Sequence, residues 1–93
     1  MLEDNKIIIT VSGSDKVGIV AKVATILSEN RVNIEDIKQT LMQGHFVMFM
    51  LCDIKDAELT FKELKNLLIE EGNKMELEIW VQKKGIFEKM HTV

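Results

Sequence analysis

The stretch Lys6-Ile7-Ile8-Ile9-Thr10-Val11-Ser12-Gly13-Ser14-Asp15-Lys16-Val17-Gly18-Ile19-Val20 changes its hydrophobic period partway along, and that change decides the fold. Lys6 to Ser12 reads as a strand, with Ile7, Ile9 and Val11 on one face and Ile8, Thr10 and Ser12 on the other. Gly13-Ser14-Asp15 supplies turn chemistry, and from Val17 to about Asn30 the apolar residues Val20, Val23, Ala24 and Leu27 recur at helical spacing, with Ile19 and Ile26 widening the stripe. Asp15 or Ser14 is placed to cap the helix, and Asn30 to take the left-handed conformation past its end.

Beyond this unit the periods alternate again. Val32 to Met42 reads as a strand whose phase slips between Ile34 and Ile37, so a bulge near Glu35-Asp36 is expected. Gln43-Gly44 marks a hairpin turn into His45 to Asp53, which is apolar on both faces and belongs in the middle of a sheet. Thr60-Phe61-Lys62-Glu63 has the capping-box pattern and opens a second helix, with Phe61, Leu64, Leu67 and Leu68 as its buried stripe and Gly72 at its end. Met75 to Gln82 alternates cleanly, Leu77, Ile79 and Val81 facing inward and Glu76, Glu78, Trp80 and Gln82 outward.

The order β-α-β-β-α-β with two right-handed crossovers predicts an α+β, ferredoxin-like sandwich: a four-stranded antiparallel sheet with both helices on one face. The other face would carry Ile8, a row of the central strand and Trp80, too apolar to lie bare. A short helical tail bearing Ile86, Phe87 and Met90 is expected to cover it, which divides the chain into a domain at 1–83 and a tail at 84–93 that packs on the domain or on a dimer partner.

Bulk properties narrow the function. At 93 residues the chain makes one domain. So small a domain gains much from burial in an oligomer, so a homodimer is expected. A net charge of −3 and a single arginine, Arg31, argue against nucleic acid as a partner. No apolar run approaches the ~20 residues that cross a bilayer, and the acidic opening Met1-Leu2-Glu3-Asp4-Asn5 lacks the apolar segment of a signal peptide, so no membrane partner and a cytoplasmic location are expected. Cys52, the sole cysteine, sits in an apolar run as a reduced core thiol. His45 and His91 are far apart, methionines 42, 48 and 50 read as core, and no metal-ligand spacing exists, so neither metal nor cofactor is expected.

The segment Gly13 to Val20 spaces its glycines as a P-loop does, but Ile19-Val20 stand where that motif needs lysine and a hydroxyl residue. What remains is a helix N-terminus that favours an anion such as a carboxylate, with Gly18 allowing a ligand near the backbone; the competing reading is that Asp15 caps the helix and Gly18 serves packing. Asn33 is likewise either a ligand-holding amide or a turn residue.

Asp15-Lys16-Val17-Gly18-Ile19-Val20, followed by Val32-Asn33-Ile34-Glu35-Asp36-Ile37, resembles the ACT-domain pattern, in which an aspartate-x-x-glycine turn precedes the helix and an asparagine-isoleucine pair opens the second strand. The tail Ile86 to His91 resembles that of a small group of stand-alone ACT proteins. The resemblance implies a regulatory module, like those of 3-phosphoglycerate dehydrogenase, aspartokinase and glycine cleavage regulators, that binds an amino acid between paired domains. It implies a ligand site made of Ser14, Asp15, Gly18, Ile19 and Val20 from one subunit and Asn33 and Ile34 from another. The pattern departs at Val17, where many ACT domains have proline, so the turn is less rigid. It also implies action on a metabolic enzyme or regulator. The rival readings are an interaction or assembly module with no ligand, and an acylphosphatase-like enzyme; the latter needs an arginine in the first loop, where only Lys16 stands.

Overall fold

A computed structural model describes residues 5–14 and 17–90. Its elements are β1 (Lys6–Ser14), α1 (Ile19–Glu29), β2 (Asn33–Met42), β3 (His45–Asp53), α2 (Phe61–Lys74), β4 (Glu78–Lys83) and α3 (Lys84–Met90). The four strands form one antiparallel sheet in the order β2-β3-β1-β4, the ferredoxin-like arrangement expected from the element order.

Period-two alternation assigns the two faces. Ile7, Ile9 and Val11 of β1, Met48, Met50 and Cys52 of β3 and Ile79 and Val81 of β4 are buried with Ile19, Val23, Ile26 and Leu27 of α1 and Leu64 and Leu68 of α2. Phe61 and Leu67 pack at the border of this core. Thr60 and Glu63 complete the capping box of α2: the Glu63 N–H donates to Thr60 Oγ1 at 3.1 Å and the Thr60 N–H to Glu63 Oε1 at 2.9 Å. Gln43 and Gly44, at φ 52° and 81°, make the two-residue hairpin turn that the right-handed twist of β2 and β3 favours.

The expected bulge is present. Ile34 pairs with Cys52 and Asp36 with Leu51, leaving Glu35 as the extra residue. The slip keeps Ile34 and Ile37 on the helix face and moves Asp36 and Lys38 to the opposite face, beside Leu51 and Phe49. The Lys6 ammonium holds the bulge by pairing with Glu35 and, at 3.2 Å, with Asp53.

Three local expectations need correction. Asn30 stays at φ −105° and donates from its side chain to the Ile26 carbonyl, so the left-handed position is Arg31, at φ 60°. Gly72 does not end α2 but lies buried inside it, because a Cβ there would stand 2.8 Å from Ile79 atoms; the left-handed turn falls on Glu76, at φ 60°, and β4 starts only at Glu78. Met42 is exposed beside the hairpin turn rather than in the core. On the open sheet face, the Phe87 ring of α3 meets Phe49 edge-on at 6.2 Å, while Trp80 and Ile86 remain about half exposed.

Candidate functional site

The residues expected to bind a ligand fall into two groups. At one end of the sheet, Ser14 closes β1 opposite His45, and Gly18 begins α1 in the left-handed conformation at φ 89°. Ser14 therefore extends the strand rather than capping the helix, and Gly18 has no side chain with which to cap it. Among the described residues nothing lies within 4 Å of where a Cβ on Gly18 would stand, so what the glycine supplies there is its dihedral angle rather than close packing. The Lys22 N–H donates to the Gly18 carbonyl at 2.9 Å, and Ile19 to Ala21 form the first turn, whose N–H groups lie beyond the reach of that ladder. Ile19 sends its side chain into the core and offers only its backbone outward; Val20 is half-buried. Asp15 lies outside the described residues, as does His91.

At the other end, Asn33 opens β2 opposite Asp53, exposed, and Ile34 is half-buried against the core. These two line an open depression of about 390 Å³ with Ser28, Arg31, Val32 and Asp56. The loop after β3 is brought there by the Glu58 N–H, which donates to the Asn30 carbonyl at 3.0 Å, and is shaped by the Lys55 N–H donating to Asp53 Oδ1 at 2.8 Å. That second bond, with Lys6, holds the Asp53 carboxyl below its ordinary range, and Glu35 in turn raises the Lys6 ammonium. Sequence reasoning missed Ser28, Arg31 and Asp56 as lining residues. Arg31 carried a signal, being the only arginine; Asp56 carried none, since the tie to Asn30 is a tertiary contact.

The two groups do not meet in one protomer. Lys6 and Asn33 both pair with Asp53, whereas Ser14 pairs with His45 at the far end of the same strand. β1 spans eight steps between them, about 27 Å at ~3.4 Å per residue.

Two other features bear on chemistry. Ser12 Oγ lies 2.9 Å from His45 Nε2 on the open face, but His45 is exposed, and no described carboxylate is hydrogen-bonded to the other ring nitrogen to orient it. Among the described residues no cluster of three metal-ligating side chains forms, and no helix is long and apolar enough to cross a membrane.

Comparison with known proteins agrees with this architecture. A family model described as ACT domain matches residues 5–82. A UPF0237 protein of Clostridium acetobutylicum is 48% identical over 88 residues, covering 95% of this chain and 99% of that protein. The solved structure of an ACT domain protein from Streptococcus pneumoniae superposes with a TM-score of 0.79 at 37% identity, covering 92% of this chain and 97% of that one. A formyltetrahydrofolate deformylase from Burkholderia mallei shares the fold, at a TM-score of 0.75 and 15% identity, over 85% of this chain and 28% of its own. The match along nearly the whole chain, on the fold described above, places this protein in the ACT-domain family.

Proposed function

We propose that the protein is a regulatory ACT domain that binds an amino acid at the junction of two copies of itself and acts on a metabolic enzyme or regulator in the cytoplasm, without catalysing a reaction. The observation that carries this reading is the separation of the candidate residues: Ser14, Gly18, Ile19 and Val20 stand at one end of the sheet and Asn33 and Ile34 at the other. An antiparallel partner brings opposite ends together. β2 is an edge strand of ten residues with Ile37, Leu41 and Met42 exposed, a free template for a second β2.

Charge disfavours two registers and favours a third. Directly opposed residues share a face, so the twofold axis falls on a residue that meets its own copy. Centred on Asp36 or Lys38, the pairing would oppose like charges. Centred on Ile37, it sets Ile37 on Ile37 and pairs Asp36 with Lys38 twice on the open face, and it carries Asn33 to the end where the other copy's Ser14 and Gly18 stand. The described part of the tail then stays with its own domain, its Phe87 ring edge-on to Phe49 and beside Asp36 and Lys38 on the open face.

A thermal-shift screen against the twenty amino acids tests the reading. A ligand at a hundred times its dissociation constant stabilises the native state by about 2.7 kcal/mol, a rise of several degrees for a domain of this size. A flat response to all of them would contradict sensing and favour the ligand-free interaction module, for which the half-exposed Trp80 and Ile86 offer a surface.

A further inference from the structure

We propose that the ligand is an amino acid with a second carboxylate, and that Arg31 reads that carboxylate; this rests on the junction site proposed above. The depression beside Asn33 is lined by one cation, Arg31, one anion, Asp56, an amide and a hydroxyl, with Val32 and Ile34 as its apolar floor. Among the described residues the Arg31 guanidinium forms an ion pair with no carboxylate. Its backbone is held at φ 60° just past α1, with its N–H donated to the Ser28 carbonyl at 3.1 Å. Glycine or asparagine usually takes such a position, so an arginine there gains nothing from local backbone energetics.

The charges that meet at the junction define the ligand. Asp56 with the Asn33 amide oxygen suits an ammonium. The first turn of the other copy's α1, entered through Gly18, suits one carboxylate. Arg31 remains, and its planar fork of donors matches a second carboxylate in bidentate fashion. A neutral amino acid would leave the guanidinium without an anion, whereas aspartate or glutamate fills all three places.

Calorimetry with L-glutamate, L-aspartate, L-glutamine and L-asparagine on the wild type, Arg31→Gly and Arg31→Gln tests this. Glycine suits the positive φ, so Arg31→Gly keeps the fold, which its melting temperature verifies. The expected result is that an acid binds about tenfold or more tightly than its amide in the wild type, and that both variants lose that preference while binding of the amide changes little. Equal binding of acid and amide by the wild type, or an acid preference that survives in both variants, overturns the role of Arg31 and leaves the junction site standing. Failure of every amino acid in the wider screen overturns the inference together with the site beneath it.

Discussion

Ile37→Asp is expected to give a folded monomer at micromolar concentration that binds its amino acid about a hundredfold or more weakly than the wild type. Ile37 is 37% exposed in the single copy and lies on the edge strand, so the substitution removes little from the protomer's own core. In the proposed dimer the same residue meets itself across the twofold axis. Two carboxylates would then face each other at the ~5 Å spacing of an opposed pair, in place of two isoleucines that shield one another from water. Ligand binding fails with the dimer because each site needs both copies. Light scattering and calorimetry on Ile37→Asp, with Ile37→Val as the conservative control, check both parts. A dimer that survives Ile37→Asp would remove β2 from the interface.

Cys52 should make the protein sensitive to alkali. Its side chain is fully buried on β3, opposite Ile7 and Ile34, and burial pushes the thiol up from 9.0 to about 12, with the Glu35 charge adding to the rise. Above pH 9 the unfolded chain releases this proton and the native chain retains it. The contribution is therefore fully present below the unfolded value, fades as pH rises and is lost by about pH 12, a change of about 4 kcal/mol across that window. By pH 10.5 about half of it, ~2 kcal/mol, should be gone. Denaturant unfolding at pH 7 and 10.5 should show that fall in the wild type and a smaller one in Cys52→Ala, whatever the alanine costs in packing at neutral pH. Equal falls in the two proteins would mean that the thiol does not report burial.

Most of the fold was legible because it follows from local periods. The alternation of Ile7, Ile9 and Val11, the capping box at Thr60 and the phase slip around Glu35 each have one physical cause within a few residues, and each reappears as read. Gly72 misled because its purpose is distant: its missing Cβ makes room for Ile79, and its carbonyl accepts from Met75 and Leu77 in the following turn. Asn30 misled for the opposite reason. Its side chain found the Ile26 carbonyl, and the left-handed step passed to Arg31, where residue preference gives no warning.

The candidate site was legible one residue at a time and not as an arrangement. Gly18 and Asn33 stand out by chemistry alone, but only the shared pairing of Lys6 and Asn33 with Asp53 reveals that a full strand separates the two ends. Arg31 and Asp56 enter through the bond that draws the loop after β3 onto the end of α1, a tie with no trace in hydrophobic pattern.

The shared site is tested most directly by mixing two disabled variants. Gly18→Val disrupts the left-handed entry to α1 and Asn33→Ala removes the amide at the start of β2, so each alone should bind no amino acid while keeping its fold. Unfolded together and refolded in equal amounts, half of the dimers carry one chain of each kind, and in each of these one site unites an intact Gly18 with an intact Asn33. Calorimetry should then recover about a quarter of the wild-type sites at wild-type affinity. No recovery from a mixture that is shown to exchange chains would contradict a site built from two copies.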